Sequence, residues 1–255
     1  MYALIAGGSK GIGYSIAEAL AMRRYNLILI GRHDHTLKVA KNNLEAEYKI
    51  NVETLIYDLS EDGSAEKIAQ WCDDKNIKLK MLCNVAGLGG TKDYLSLPLD
   101  ELRYMVKLNV GNDISLCLTL LPLLEKNSPS HILNVASMAG FAPIPVKNLY
   151  AATKSAVIFF SYSLRYQFKK KNISVSCLCP GPVFTKPEIK KDTEDKLGWF
   201  GDLMAVSPKK VGEIAVRRTL NGRLIIVPGF LAKLMSVFLR IAPRRLVAYI
   251  YYRMS

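Results

Sequence analysis

A tyrosine and a lysine lie four residues apart, at Tyr150 and Lys154, within a segment of helical periodicity. At this spacing both side chains project from one face of a helix. A phenol with an ordinary pKa of about 10 is a poor base at neutral pH, but a neighbouring cation favours the phenolate and lowers that pKa. The pair therefore indicates proton transfer, with Tyr150 as the general acid or base and Lys154 as the residue that lowers its pKa.

Two further polar residues could join this chemistry. Ser137 follows a run typical of a buried strand, where its hydroxyl can donate to a substrate oxygen that gains negative charge. Asn109 lies among Val106, Leu108 and Val110 on a predicted helix that is mostly buried, so its amide needs a partner. Each of these residues, taken singly, is more often structural. Ser137, for example, could simply cap a helix or stabilise a turn.

A glycine cluster follows the first predicted strand and opens the first predicted helix. Glycines allow a tight turn and a close approach to a pyrophosphate, whose charge is attracted by the free N–H groups and the positive end of the helix dipole. The cluster alone is weak support, because any tight strand-to-helix turn can use one, but its position at the first such junction favours a dinucleotide site. The candidate contacts in this segment are Gly7, Ser9, Lys10, Gly11, Ile12 and Gly13.

The end of the second predicted strand indicates which dinucleotide is bound. A fold that prefers NAD usually has an acid there to bond the ribose hydroxyls, but this sequence has Arg32. The Arg32 guanidinium can bind a 2′-phosphate through two hydrogen bonds, and Lys10 can add a second positive charge. The sequence therefore predicts NADP(H) as the cofactor. The alternative is that both side chains are solvated surface charges, as exposed Lys and Arg commonly are.

These residues must be positioned by the elements between which they lie. Short β-branched or leucine-rich runs alternate with longer segments of helical periodicity, which is typical of a parallel sheet covered on both faces. The predicted strands are residues 2–6, 27–30, 52–57, 81–85, 131–136, 174–179 and 224–227. The predicted helices are residues 12–24, 36–48, 64–75, 99–124, 149–171 and 209–220. The pattern predicts an α/β fold with a single doubly wound, Rossmann-type domain on a seven-stranded parallel sheet.

Length and composition limit the alternatives. A chain of 255 residues, 50% of them apolar, can bury a large core without disulfides or metal. The five cysteines are an odd number and lie in predicted helices or strands, which favours packing in a reduced, intracellular protein, and no metal ligand set is predicted. No secretory signal is evident and no uncharged apolar run is long enough to span a membrane, so we expect a cytoplasmic location.

Seven motifs occur in order along the chain, each at the expected structural position. They are Gly7-x-x-x-Gly11-x-Gly13, Asp58, Asn84-Val85-Ala86-Gly87, Asn109, Ser137, Tyr150-x-x-x-Lys154 and Pro180-Gly181-Pro182-Val183-Phe184-Thr185. Each motif by itself is degenerate and occurs in many unrelated proteins. Because all seven occur together, the chain resembles the short-chain dehydrogenase/reductase superfamily from Tyr2 to about Val227. The chain departs from the family at two positions: Ala6 replaces the usual Thr, and Val85 replaces the second Asn of the Asn-Asn-Ala-Gly motif. These two departures affect the stability of the turns rather than proton transfer.

The resemblance implies roles for several of these residues. Lys154 would also bond the nicotinamide ribose hydroxyls, and Asn109 would hold by its backbone a water that links Lys154 to a proton relay. Asp58 would either bond the adenine or cap the following helix, and Asn84 would act through its backbone beside the cofactor. The further cofactor contacts that the resemblance implies are Ala86, Gly87, Tyr150, Pro180, Gly181, Val183 and Thr185.

The activity implied is the NADP(H)-dependent interconversion of a carbonyl and a secondary alcohol. Hydride would pass between the nicotinamide and the carbonyl carbon, while Tyr150 transfers the proton and Ser137 polarises the substrate oxygen. One alternative is a catalytically silent NADP-binding regulator on the same fold, although the intact Ser137, Tyr150 and Lys154 argue against it. The other is a basic nucleic-acid-binding protein, which a pI of about 9.5 permits but which no recognised motif supports.

The carboxyl-terminal segment is basic and amphipathic. From Ile214 to Ser255 there are eight basic and no acidic side chains, which account for much of the net charge of +13. The predicted division is a catalytic domain at residues 1–229 and a C-terminal basic amphipathic helical extension at 230–255. The extension could be part of the same domain, and it could contact the cytoplasmic membrane face, the substrate pocket or another subunit; these alternatives stay open.

Substrate and oligomeric state are less constrained. The tail loosely resembles that of hydroxysteroid dehydrogenases and 3-oxoacyl reductases, which implies an apolar or lipid-like substrate. The apolar side chains in the loop at residues 181–207 suit either a lid over such a ligand or attachment of the loop to the core. These side chains are Phe184, Trp199, Phe200 and Met204. The family resemblance also implies a homo-oligomer paired through the helices predicted at 99–124 and 149–171.

Overall fold

Seven parallel strands form one sheet in the part of the chain that the computed structural model describes, which is residues 1–89, 96–183 and 205–253. The strands are β1 Tyr2–Ala6, β2 Asn26–Gly31, β3 Val52–Ile56, β4 Leu79–Asn84, β5 Ser130–Val135, β6 Ile173–Leu178 and β7 Ile225–Ile226. Their order in the sheet is β3-β2-β1-β4-β5-β6-β7. The doubly wound, Rossmann-type sheet expected from the sequence is confirmed.

The helices lie on both sides of this sheet. They are α1 Gly11–Ala21, α2 Asp34–Tyr48, α3 Ser64–Asp74, α4 Leu99–Val106, α5 Asn112–Thr119, α6 Leu121–Lys126, α7 Asn148–Gln167, α8 Pro208–Leu220, α9 Phe230–Ile241 and α10 Arg244–Arg253. A π-helical turn at Lys107–Gly111 joins α4 to α5, and short 3₁₀ turns occupy Met138–Phe141, Pro145–Lys147 and Lys169–Lys171.

The apolar runs of the strands are explained by burial on both faces, because successive side chains of a strand point to opposite sides. In β1, Ile5 packs in a cluster with side chains of α1, α2 and α8. Leu4 packs in the opposite cluster, with side chains of α3, α5, α6 and α7. Both side chains are fully buried.

The chain winds in opposite directions from β1, which pairs with β2 on one side and with β4 on the other. Ligands of such sheets bind beyond the carboxyl ends of the strands at this point. The backbone N–H groups of Val85 and Ala86 both donate to the carbonyl oxygen of Ala6, at 3.0 and 2.7 Å. Backbone bonds therefore connect β1 to the loop after β4, where the sequence lacks the family's usual Thr and second Asn.

The prediction of a single helix at residues 99–124 is wrong. The π-helical turn interrupts it after Val106, and α6 starts as a separate helix at Leu121. Pro122 lies in the first turn of α6 and has no N–H to donate to the preceding turn, so the chain breaks there. The π-helical turn contains Asn109, and such turns are frequent at functional sites. The other predicted strands and helices are confirmed, apart from shifts at their ends.

The two carboxyl-terminal helices pack against the same core as the sheet. Ala232 and Leu239 of α9 and Val247 of α10 lie in a buried cluster with Met138 and Phe141, which follow β5. In the part of the chain that the structure describes, no helix is long and apolar enough to cross a membrane.

Helices α1 and α8 lie in close contact at Gly212. A Cβ added there would lie 2.3 Å from the carbonyl oxygen of Ser15, which is backbone and cannot turn away. At Gly111 a Cβ would have no heavy atom within 4 Å. The backbone angles of Gly111 are helical, with φ −56° and ψ −47°. A methyl group added at Gly212 would therefore collide with the backbone of α1, whereas a methyl group added at Gly111 would meet no neighbouring atom.

We expect Gly212→Ala to lower the free energy of unfolding by about 1–3 kcal/mol or more, because the added carbon forces α1 and α8 apart. The matched control Gly111→Ala should leave that free energy unchanged or raise it by about 0.5–1 kcal/mol, since alanine is favoured over glycine in helices. Urea unfolding measures both values. Equal stabilities of the two variants would contradict the close contact.

Candidate active site

The glycine-rich turn after β1 is so tight that two of its glycines accept no side chain. Gly7 has a left-handed φ of +85°, and a Cβ there would lie 2.9 Å from the backbone of Ala86. A Cβ at Gly13 would lie 2.0 Å from the carbonyl oxygen of Gly7. The first turn of α1 contains no acidic residue, and the exposed Lys10 precedes it. The free N–H groups at the start of α1 and the dipole of this helix can therefore attract a diphosphate.

A polar group lies beyond the carboxyl ends of β2 and β3. Arg32 Nη1 donates to Tyr104 Oη at 2.8 Å and lies 3.8 Å from Asp58 Oδ2. The Arg32 side chain is 51% exposed, so part of its guanidinium stays open to a ligand. Ser9 Oγ lies 3.7 Å from the position of a Cβ at Gly31, so the glycine-rich turn reaches the residue before Arg32. Sequence reasoning missed Tyr104, because nothing in the local pattern of α4 distinguishes it.

The Asp58 carboxylate is held in a turn. Its Oδ1 accepts from the backbone N–H of Ser60 at 2.9 Å and from the Ser60 hydroxyl at 2.7 Å. The capping alternative is wrong, since α3 has Gly63 at its N-cap. Burial by itself raises the pKa of Asp58, but the hydrogen bonds from Ser60 and Tyr104 and the charge of Arg32 outweigh it, and the net pKa is lowered. Asp58 is therefore ionised, and its carboxylate holds the Tyr104 hydroxyl and the Arg32 guanidinium in place.

Tyr150 of α7 lies beside Ser137, which follows β5, and the Ser137 hydroxyl acts on the pKa of the phenol. The Ser137 oxygen also accepts from the N–H of Ala139 at 3.2 Å, as the N-cap of the turn Met138–Phe141. The Tyr150 ring lies against the loop after β4, with its Cε2 3.0 Å from the position of a Cβ at Gly89. The phenol and the hydroxyl are thus adjacent at the carboxyl edge of the sheet.

Lys154 is buried and lies against the same loop as Tyr150. Its Nζ donates to the carbonyl oxygen of Val135 at 2.9 Å. A Cβ at Gly87 would lie 3.2 Å from Lys154 Nζ and 3.1 Å from Asn109 Oδ1. The lysine and the tyrosine therefore face one side of the cleft, as their spacing predicts.

The expected effect of Lys154 on the pKa of Tyr150 is absent from the structure. Burial raises the pKa of Tyr150 above its ordinary value, and the group that lowers it in part is the Ser137 hydroxyl. Burial also lowers the pKa of Lys154 itself, against the opposing charge of Asp113.

Asn109 ties the loop after β4 to α7. Its Oδ1 accepts from the N–H of Leu88 at 2.7 Å, and its Nδ2 donates to the Leu88 carbonyl at 2.9 Å and to Thr153 Oγ1 at 3.2 Å. The side chain is fully buried and its amide is satisfied. The buried Asn109 amide therefore finds its hydrogen-bond partner mainly in the loop after β4, which contains Gly87. The water-holding role of its backbone stays a prediction.

Asp113 is a second residue that sequence reasoning missed. It is buried in α5, four residues after Asn109, and its Oδ1 accepts from Asn112 Nδ2 at 3.3 Å. Burial raises the pKa of Asp113, while the charge of Lys154 opposes that rise. A carboxyl group in a mostly apolar helix, one turn after a candidate site residue, was the available signal.

The remaining predicted contacts lie at the ends of β4 and β6. The Asn84 side chain is buried, and its Nδ2 donates to Cys117 Sγ at 3.3 Å and to Asn134 Oδ1 at 2.9 Å. Gly181 lies next to Met138, whose N–H donates to the Pro180 carbonyl at 3.0 Å. Val183 is buried in the core. The predicted residues Thr185, Phe184, Trp199, Phe200 and Met204 lie outside the described residues.

A doubly wound parallel sheet with a glycine-rich turn where its winding reverses defines the Rossmann-type nucleotide-binding class. Within that class, the chain belongs to the short chain dehydrogenase family, whose model matches residues 1–196. The resemblance drawn from the motifs is therefore confirmed.

Individual relatives agree with this assignment. The chain is 33% identical over 200 residues to the very-long-chain 3-oxoacyl-CoA reductase of Rattus norvegicus, an alignment that covers 76% of this chain and 64% of that protein. The chain thus spans less than two thirds of that relative's length. The fold is similar to that of a short-chain dehydrogenase from Sphingobium yanoikuyae in complex with NADPH, with a TM-score of 0.78, 24% identity and coverage of 92% and 91%. It is also similar to that of a 7β-hydroxysteroid dehydrogenase, with a TM-score of 0.86, 18% identity and coverage of 98% and 96%.

Proposed function

We propose that this chain interconverts a carbonyl and a secondary alcohol, with NADP(H) as the hydride carrier. The observation that carries the proposal is the arrangement of Ser137, Tyr150, Lys154 and Asn109 around the loop that contains Gly87. A hydroxyl, a phenol and an ammonium meet there, at the sheet edge where dinucleotides bind. Membership of the short chain dehydrogenase family supports the reaction class.

The residues present fit a dinucleotide. A side chain at Gly87 or Gly89 would contact Lys154 or the Tyr150 ring, so these glycines leave the space next to both groups unfilled. The open part of the Arg32 guanidinium, with Ser9 near the residue before it, suits a 2′-phosphate, and Lys10 follows Ser9 in the chain. The NADPH in the similar Sphingobium yanoikuyae structure supports this choice. The other contacts proposed are the backbone of Gly7, Gly11, Ile12, Gly13, Asn84, Ala86, Pro180 and Gly181, with Asp58 and Val183.

The chain's own residues would handle the proton and the substrate oxygen. NADP(H), when bound, supplies or accepts the hydride. Tyr150 donates its phenolic proton to the carbonyl oxygen, and in the reverse direction its phenolate accepts the proton of the alcohol. Ser137 donates a hydrogen bond to the same oxygen as negative charge develops there. Lys154 would bond the nicotinamide ribose hydroxyls, and Asn109 fixes the loop that Lys154 and Tyr150 both face.

We propose a 3-oxoacyl thioester with a long apolar chain as the substrate class. The 3-oxoacyl-CoA reductase activity for which the rat relative is named supports this choice, as does the apolar character of the segment after Ser137. In that segment Met138, Phe141 and Ala142 are buried together with α9. Apolar surroundings with a few directed polar groups are typical of sites for such ligands.

A panel of carbonyl compounds tests the function directly. We expect NADPH oxidation with acyl thioesters, at a kcat/KM that rises with chain length and exceeds the values for small aldehydes and steroid ketones. In Tyr150→Phe, kcat should fall about 100-fold or more, while NADPH affinity stays nearly unchanged, because only the transferred proton is removed.

The control for this substitution is Tyr166→Phe, which removes a hydroxyl from an exposed side chain of the same helix and should leave kcat as it was. Retained turnover in Tyr150→Phe would refute the role of the phenol. Tight NADPH binding by the unaltered chain without turnover of any class of carbonyl would favour the silent regulator instead.

Cofactor choice depends on one charge. We expect Arg32→Gln to weaken NADPH binding by about tenfold or more and NADH binding very little, because only NADPH carries the 2′-phosphate. Arg103→Gln removes the same charge from an exposed residue of α4, ion-paired with Asp100, and should change neither affinity. Fluorescence titration with both dinucleotides measures the effect. Equal losses for NADPH and NADH in Arg32→Gln would count against the assignment.

The raised pKa of Tyr150 predicts different pH profiles for the two directions. Burial keeps the phenol protonated through the neutral range, so reduction, which uses the acid form, should be independent of pH there and fall only at alkaline pH. Oxidation uses the phenolate and should rise with pH. Because the Ser137 hydrogen bond lowers this pKa, Ser137→Ala should move both limbs to higher pH as well as reduce the rate. A reduction rate that declines within the neutral range would contradict this assignment.

We also propose that the chain forms a homo-oligomer through α5 and α7. Both helices lie on the same side of the sheet, and each exposes large apolar side chains, Leu118 on α5 and Phe159 on α7. Sedimentation equilibrium should give a multiple of the chain mass of 28.4 kDa for the unaltered protein. Leu118→Lys with Phe159→Lys should reduce it to one chain, whereas Met22→Lys, an exposed apolar site on the other side, should not. A single-chain mass without any substitution would refute the proposal.

A further inference from the structure

Helix α9 presents apolar side chains to its outer face. Phe230, Leu234, Val237, Phe238 and Ile241 are all between 46% and 78% exposed. The last four lie four, seven, eight and eleven residues after Phe230, which places all five on one face of the helix. A surface helix usually has polar side chains there, so this face differs from an ordinary solvated one.

The opposite face of α9 is the one that packs on the core. It consists of Ala232, Ser236 and Leu239, which are buried. The outer apolar face therefore cannot be turned inward without losing these contacts. Helix α10 extends the same kind of surface, since Leu246, Tyr249, Ile250 and Tyr252 are between 40% and 67% exposed while Val247 is buried. We call these nine exposed side chains of α9 and α10 the outer apolar face.

The charge around the outer apolar face has one sign. Lys233, Arg240, Arg244, Arg245 and Arg253 lie on α9 and α10, and the sequence has no acidic residue from Ile214 to Ser255. Lys233 and Arg245 are exposed. Among the described residues, then, both helices combine large apolar side chains with uncompensated cations.

Two of these cations fix the helices to the body of the protein. The Arg240 guanidinium lies 4.8 Å from the centroid of the Phe141 ring, and its Nε donates to the Ser236 carbonyl at 3.0 Å. Arg244 donates to the carbonyl oxygens of Phe141 and Leu239. The outer apolar face is thus held in a fixed orientation next to the turn that Ser137 caps.

We propose that the outer apolar face of α9 and α10 binds peripherally to an anionic lipid bilayer. A helix face with large apolar and aromatic side chains inserts at the boundary between head groups and acyl chains, while flanking lysines and arginines attract anionic lipids. Neither helix is long enough to cross the bilayer, so binding lies in the plane of the surface. A second copy of the chain fits less well, because the two like-charged faces would repel each other.

Sedimentation with vesicles tests the proposal on the full chain and needs no turnover. We expect the protein to pellet with phosphatidylcholine vesicles that contain phosphatidylserine at low salt, and much less with phosphatidylcholine alone or at high salt. Lys233→Gln and Arg245→Gln should each lower the partition coefficient about fivefold, since each removes one cation near the surface. Phe230→Ser, Phe238→Ser and Ile241→Ser in one chain should lower it about a hundredfold.

Matched controls separate the outer apolar face from general surface chemistry. Met22→Ser with Val39→Ser removes exposed apolar side chains elsewhere, and Lys67→Gln with Lys75→Gln removes two exposed cations, one in α3 and one directly after it. Neither pair should change vesicle binding. All substituted side chains are exposed, and circular dichroism and thermal unfolding verify that each variant is folded.

Three results would overturn the proposal. The first is that the unaltered chain fails to pellet with anionic vesicles at low salt. The second is that the triple apolar variant binds vesicles as the unaltered chain does. The third is that the triple variant lowers the oligomeric mass, since a second copy would then be what covers the face. Carbonyl reduction is measured separately, so a failure of vesicle binding would leave the proposed activity standing.

Discussion

The site depends on how closely two stretches of backbone approach at the carboxyl ends of β1 and β4. The Ala6 carbonyl accepts from both Val85 and Ala86, and Gly7 meets Ala86 at a distance that excludes a side chain. On its other side, the loop after β4 is held by the Asn109 amide through two hydrogen bonds to Leu88. One short loop therefore fixes the glycine-rich turn relative to the residues proposed to transfer the proton.

That loop lies over a buried cation, which makes its rigidity important. Removing an ammonium from water costs several kcal/mol unless hydrogen bonds and an opposite charge compensate it. Lys154 has a bond to the Val135 carbonyl and the nearby charge of Asp113. The same low-dielectric surroundings raise the pKa of Tyr150, so burial keeps both the lysine fixed and the phenol protonated. A loosely packed loop would admit water and weaken both effects.

Much of the fold and part of the site followed from the sequence. The strands were recognisable because burial on both faces produces continuous apolar runs, and Tyr150 and Lys154 share a helix face because four residues make about one turn. The break at Pro122 was missed because the apolar period continues through it. Tyr104 and Asp113 were missed for a different reason. Their effects come from Arg32 and Lys154, which are distant in sequence and close only after folding. The pKa of Tyr150 likewise depends on burial and on Ser137, not on helical spacing alone.

The contacts of α9 and α10 with Phe141 have a consequence for how this protein can change during evolution. Phe141 ends the short turn in which the Ala139 N–H group is capped by Ser137, and it is held by Arg240 through its ring and by Arg244 through its carbonyl. A one-residue slip of α9 would displace its side chains by about 1.5 Å along the axis and rotate them about 100°. Descendants that insert or delete a residue in this helix must therefore restore both arginine contacts or accept a misaligned serine hydroxyl.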